Sequence, residues 1–424
     1  MNGSSVVKKM IPILLASFPA WFYCMVYTPL GYLFNDFPGQ DALVMLVASL
    51  PGIMAMVAAF SSSGLMMIMN KKTLVIISLL AMFAGGMLIR YFGSGNLIIT
   101  IIGSAVTGFG AGSIPAANLA ILAEISPEKM RDKVCGWSDS LCMAGILVVT
   151  LLGGFLAADG VWVRAFNVYY ILIPIIIAVI IWYPTNKAAA VIAENVGAAS
   201  VIKTEESVAE KTPSSMPKSV YGLIIVKFIS AFFYMGASYF LSDFIINEVQ
   251  VGSSALVGTV FSIGSFVTIL GSAFVFLWLK AFKSFSTVVS MLIMGIGMIL
   301  LVVFPSPVTL VLFGGILLNM GMNTHHSAAS TVATMAPKGK IVALATSLFV
   351  GATFVGEALP GYVLPWISNL LLGSATSSQN MIVGGVGCIV LGLISYVFYR
   401  VAYKIAFPKK QNDASTITTT TQTI

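Results

Sequence analysis

At 424 residues the chain is long enough for two or three soluble domains, but 58% of it is hydrophobic, only 9% is charged and its mean hydropathy is +0.98. Those values place it among proteins that cross a bilayer many times. The net charge of +7 does not mark a nucleic-acid binder, because the basic residues sit at the ends of apolar runs and no aromatic-basic module accompanies them.

The first run follows Lys8 and Lys9 but is too long for a secretory leader and lacks a small-residue cleavage site, so it reads as a span. About 20 apolar residues cross the hydrocarbon as a helix. Twelve stretches meet that length: 10–34, 42–69, 73–91, 97–123, 134–158 and 165–183, then 220–246, 254–279, 285–304, 308–335, 341–372 and 381–403. They are numbered here as spans 1 to 12. The fold class predicted is an all-α polytopic membrane protein, a six-plus-six helix bundle with residues 1–184 and 220–405 as its halves. Residues 185–219 join them. This linker mixes charged residues with Ala, Ser, Thr, Pro213 and Pro217, buries too little apolar surface to repay ordering, and is predicted to be flexible and solvated. The Thr-rich tail, 406–424, is predicted to be disordered on the same ground.

With the N-terminus in the cytoplasm, Lys71, Lys72, Lys129, Arg131, Lys133, the linker lysines, Lys280, Lys283, Lys338, Lys340, Arg400 and Lys404 all fall inside, and only Arg90 and Arg164 fall outside. Both termini and the linker are therefore predicted to be cytoplasmic, in a multi-pass protein of the cell (inner) membrane.

The two halves also repeat. Phe22 and Tyr23 recur as Phe233 and Tyr234; Asn35, Asp36, Ala42, Leu43, Val44 and Ser49 recur as Asn247, Glu248, Ala255, Leu256, Val257 and Ser262; Gly110 and Pro127 recur as Gly321 and Pro337. The common offset, near 211, argues for duplication. Parallel repeats of this kind, related by an axis along the membrane normal, are a transporter architecture with a site between the repeats at mid-membrane.

In these respects the chain resembles the major facilitator superfamily. The loop after span 2 carries Gly64 and then Asn70, Lys71 and Lys72, similar to the family's glycine-then-basic loop, but Ile68 stands where its acidic residue is usual. Gly64, Lys71, Lys72, Arg131 and Asp139 are accordingly candidates for gating or ion pairing, with a plain cytoplasmic turn as the alternative for the two lysines. Span 4 holds Gly108, Gly110 and Gly112, and span 5 holds Gly145, Gly153 and Gly154, similar to drug/proton antiporter signatures. Ser104, Val149 and Thr150 replace the residues most diagnostic of those antiporters, leaving small-residue packing as the simpler reading.

Ionisable groups inside a bilayer are functional candidates by default. Glu357 in span 11, followed by Pro360, is placed for reversible protonation and proton coupling; a structural hydrogen bond is the alternative. In span 10, Asn319, Asn323, His326 and Ser330 form one helical stripe that must face protein or water, while His325 is turned about 100° away. His326 could bind solute or relay protons. Adjacent histidines diverge on a helix, so joint metal chelation is not expected. Asp139 reads as an ion-pair partner of the basic cluster 129–133, Asp36 and Asp243 as solvated outer-end residues. Lys227 lies two turns into span 7 and can snorkel back to the surface. A charge clamp for an anionic solute is not evident.

The family places spans 1, 4, 7 and 10 around its cavity, and the resemblance implies that Tyr23, Tyr27 and Tyr234 face it, with Asn118 on span 4, Asn319, Asn323, His325 and His326 as further solute contacts. The function predicted is alternating-access transport of a small organic solute, coupled to protons as symport or uptake, by a protein working as a monomer in the lipid bilayer. Drug/proton antiport is the alternative, and a non-transporting membrane sensor a remote one. No catalytic constellation, metal set, cofactor motif or nucleic-acid module is read in the chain, so an enzyme is not expected. The four cysteines have neither ligand nor redox spacing.

Overall fold

The computed structural model describes residues 3–126, 128–195, 216–337 and 341–407. Among them there is no strand; the chain is helices and short connections. Eleven single spans are long and apolar enough to cross a membrane, and Leu348–Ala358 with Pro360–Leu372 forms a pair bent by 60° that completes span 11. Spans 1 and 11 are broken where hydropathy predicts continuous helices.

Span 1 is broken in the middle. Helix Gly3–Ser17 gives way to a tight 3-10 segment, Phe22–Tyr27, before helix Leu30–Asp36. Pro19 and Pro29 supply no N–H and interrupt the ladder. Backbone groups in the gap turn to partners three residues back, as in Ala20 N to Ser17 O at 3.2 Å and Phe22 N to Pro19 O at 3.0 Å, which keeps them satisfied at membrane depth. In span 11 the break falls at Leu359, and Pro360 opens the second helix, a position where its missing N–H costs nothing.

The predicted linker is partly ordered. Thr185 Oγ1 accepts from Ala188 N at 3.3 Å, and a helix, Asn186–Asn195, follows. Asn186 is tied to the loop after span 2: its N donates to Asn70 Oδ1 at 3.3 Å and its Oδ1 accepts from Lys71 N at 3.2 Å. A hydroxyl at the helix start and a docking loop supply what composition alone does not disclose. Residues 196–215 and the tail from 408 lie outside the described residues.

Three pairings join the halves. Span 5 packs on span 8, span 2 on span 11, and the outer end of span 1 on that of span 7. Spans 2 and 8, and likewise 5 and 11, are equivalents in the repeat, so the first two pairings are related by its pseudo-two-fold. Between spans 5 and 8 the helices touch at Gly154 and Gly258, where a Cβ on Gly154 would lie 2.6 Å from Ser254 O and 3.1 Å from Gly258 Cα. Span 1 meets span 7 through Gly31 N to Ser242 Oγ at 2.9 Å, Ser242 Oγ to Thr28 O at 2.8 Å and Asn35 Nδ2 to Asn247 Oδ1 at 2.9 Å. Asn35 and Asn247 are repeat equivalents; equivalent residues touch only near the axis that relates them. All these bonds lie toward the face opposite the lysine-rich one, so that end is sealed.

Candidate functional site

Between the halves lies a cavity of about 650 Å³. Spans 1, 2, 5, 7, 8, 10 and 11 line it; among the described residues span 4 contributes none. Its inner part is aromatic, with Trp21, Tyr23, Tyr27, Tyr234 and Tyr239 on the wall, and it extends to Gly136, Asp139 and Ser330 toward the lysine-rich face. Asp139 and His326 are exposed there. The cavity is thus open on the basic side and closed on the other.

The span 10 stripe lies on this wall: Asn319, Asn323, His326 and Ser330 all line the cavity. The phase is set by helix geometry and held by neighbours, since Asn319 Nδ2 donates to Gly315 O at 2.8 Å and Asn323 Nδ2 to Thr268 O at 3.1 Å. Span 8 accommodates the two amides at Gly264 and Gly271, where a Cβ would strike them. His326 rests edge-on against Phe349, with ring centroids 5.9 Å apart. His325 points elsewhere. It is fully buried, with Nε2 3.0 Å from Ser230 Oγ, and does not line the cavity.

Glu357 stands on the wall beside the break in span 11. Tyr234 OH donates to its Oε1, and Tyr239 OH donates to its main-chain carbonyl at 3.1 Å. The second bond satisfies a carbonyl next to the proline-induced break. Two tyrosines from span 7 therefore hold the one carboxyl group of span 11, side chain and backbone together. Tyr23 and Tyr27 complete this corner; Tyr27 OH donates to Ala48 O at 3.3 Å and its ring meets Tyr239 edge-on at 5.4 Å. Trp21 stacks on Phe354 at 5.9 Å.

Lys227 departs from expectation. Its side chain does not snorkel: the residue is 1% exposed, and Nζ has no hydrogen-bond partner among the described residues. It lies over the Tyr234 ring at 5.3 Å and the Phe349 ring at 5.8 Å. The surrounding helices close over its stem, which a hydropathy profile cannot register. Those two rings connect it to the cavity wall, since Tyr234 bonds Glu357 and Phe349 meets His326.

Asn118 is placed away from the cavity. Fully buried, it donates from Nδ2 to Ser17 Oγ at 2.9 Å and accepts at Oδ1 from Tyr183 OH at 2.9 Å, while Ser17 Oγ lies 2.8 Å from Ser138 Oγ. This network knots spans 1, 4, 5 and 6. Lys71 pairs with Glu124 within the first half, a partner on span 4 that loop spacing did not suggest. Lys72 N donates to Asn70 Oδ1 at 3.1 Å. Gly64 has open space around it. The side chain of Arg131 lies outside the described residues, and Asp139 lines the cavity mouth. Asp36 and Asp243 bond to protein: Asp36 Oδ2 accepts from Trp162 Nε1 at 2.5 Å, and Asp243 accepts from Ser377 Oγ at 2.6 Å and Asn247 Nδ2 at 2.7 Å.

The fold is shared with solved transporters. The xylose transporter XylE from E. coli, in an inward open conformation, is similar with a TM-score of 0.69 at 13% identity, over 93% of this chain and 96% of that one. A POT family transporter in complex with a thioalcohol-conjugated peptide gives 0.70 at 13% identity, over 93% and 96%. A search of curated proteins returns no match. The family model of the Major Facilitator Superfamily matches residues 10–279, and with the twelve-span, two-half architecture this chain belongs to the Major Facilitator Superfamily of membrane transporters.

Proposed function

We propose that this transporter moves a small organic solute by alternating access, coupled to protons in the direction of uptake, with Glu357 as the proton carrier and His326 beside it at the solute. The observation that carries the reading is the Glu357 carboxyl on the cavity wall, bonded by Tyr234 and set at the bend of span 11. An acid there meets the cavity solution, and a proton gained or lost changes the bond that joins span 11 to span 7. The excess of lysine and arginine on one face makes that face cytoplasmic and the described conformation inward-facing, with the protein in the cell membrane. Tyr23, Tyr27, Tyr234, Asn319 and Asn323 form the solute site around His326. A similar solved structure is a D-xylose-proton symporter, in keeping with coupling of this sort. The seam between spans 5 and 8 and the pair Asn35–Asn247 serve as the outer seal that must part in the opposite state.

Drug/proton antiport is favoured by one feature, the aromatic wall from Trp21 to Tyr239, which suits amphipathic compounds. Uptake of a labelled solute library into proteoliposomes, with the pH gradient imposed in either sense, separates the two. An inward proton gradient should drive accumulation, and Glu357→Gln should abolish that drive while leaving solute counterflow. Gradient-driven accumulation that survives in the variant overturns Glu357 as carrier; accumulation only under the reversed gradient replaces symport by antiport.

A further inference from the structure

We infer that the solute is an organic monoanion, a carboxylate or its equivalent, whose charge is balanced by Lys227; this rests on the reading of Glu357 as the proton carrier. Two formal charges of opposite sign meet at the inner corner of the cavity. Glu357 lines the wall, and Lys227, buried and without a hydrogen-bond partner among the described residues, lies over the ring of Tyr234, whose hydroxyl bonds Glu357. Burying an unbalanced charge in a low-dielectric interior is costly. The states that cross the membrane must therefore be the balanced ones.

The charge balance selects the solute. In the empty carrier, Glu357 ionised and Lys227 protonated sum to zero. When Glu357 takes a proton from solution, the corner is left with the lysine's positive charge. A neutral solute leaves that charge uncompensated, and a cation doubles it. A monoanion restores zero, so the proton and the anion enter together and the loaded carrier is as neutral as the empty one. This is coupling by charge, and it requires no direct contact between proton and solute.

The geometry provides the place. Tyr234 and Phe349 each have Lys227 at one face, at 5.3 Å and 5.8 Å, and the same two side chains touch Glu357 and His326. An anion lying against Tyr234, which is 6% exposed, sits one ring from Lys227, where little water screens the attraction. The hydrogen-bond donors it needs are on the wall, in the Tyr23 hydroxyl and the His326 ring. The phenols of Tyr23, Tyr27 and Tyr239 and the thiol of Cys24 carry no charge in their ordinary forms at neutral pH, and a protonated imidazole would only add to the positive side. Asp139 is the other acid on the wall, but it is exposed at the mouth, where ions and water screen it.

Benzoate, benzamide and benzylammonium, three aromatic solutes of similar size and different charge, test the inference on the full-length purified protein. Binding is read as tryptophan quenching, with Trp21→Phe identifying the signal from the cavity. Benzoate should bind at least about tenfold more tightly than either of the others, the ratio that 1.4 kcal/mol of charge interaction provides. Lys227→Met should bring the three to within about threefold of one another, and Lys227→Arg should keep the preference. Equal affinities, preference for benzylammonium, or no cavity signal with any of the three overturns the inference. So does a benzoate preference that Lys227→Met leaves intact. Should Lys227→Met fail to fold, the charge series on the native protein and on Lys227→Arg still decides. A benzoate preference together with gradient-driven uptake that survives in Glu357→Gln overturns the proton-carrier reading alone.

Discussion

The Tyr234 hydroxyl donates to Oε1 of Glu357, so a carboxyl group on span 11 is held from span 7 across the cavity wall. A hydrogen bond to an ionised group contributes about 1.5–3 kcal/mol. Tyr234→Phe keeps the ring over Lys227 and removes only the donor. Proton-driven uptake should fall about tenfold or more while counterflow changes little; equal losses in both would place the bond in general packing.

The two histidines should separate by assay. His326→Ala removes a cavity group and should raise the solute KM without lowering thermal stability. His325→Ala breaks a buried bond to Ser230 and should cost about 1–3 kcal/mol of stability, visible as a lower Tm in detergent. The opposite pattern would mean that span 10 is rotated from the phase described.

Asn118→Ala should behave as a stability variant. Its amide serves Ser17 and Tyr183; removing it deprives the buried Tyr183 hydroxyl of its acceptor, at about 1–3 kcal/mol, while Ser17 keeps Ser138 and Ile13. A marked rise in KM with unchanged Tm would return Asn118 to the solute site.

Glycines that look alike in sequence should differ sharply. A Cβ on Gly112 would strike the Ala55 backbone, so Gly112→Ala should destabilise by about 1–3 kcal/mol. Gly64→Ala meets nothing within 4 Å, and in a helix it should be neutral or slightly stabilising. Unfolding midpoints of the two variants check the ranking.

At the seam of spans 5 and 8, Gly154→Val should wedge the outer seal and populate the opposite conformation. A thiol placed by Asn35→Cys reports it. Labelling of that thiol by a membrane-impermeant maleimide should rise several-fold, as a shift of about 1 kcal/mol provides. Unchanged labelling would show that the seal does not rest on this glycine contact.

The linear chain determined the spans, because about 20 apolar residues are needed wherever a helix crosses lipid, and it determined the stripe on span 10, because helical periodicity puts Asn319, Asn323, His326 and Ser330 on one face whatever packs against them. The repeat was legible for a related reason: the offset that matches Asn35 to Asn247 is the one at which the structure joins them by a hydrogen bond. What the tertiary structure decided are properties of neighbours distant in sequence. Proximity to an end suggested that Lys227 reaches the surface, but helices from elsewhere in the chain enclose it. Asn118 looked like a solute ligand until Ser17 and Tyr183 took both ends of its amide, and Lys71, a candidate for gating or ion pairing, has its partner in Glu124 of span 4. Burial and pairing are pairwise quantities, settled only when the helices assemble, and they give the isolated carboxyl of Glu357 a hydroxyl partner from span 7, Tyr234.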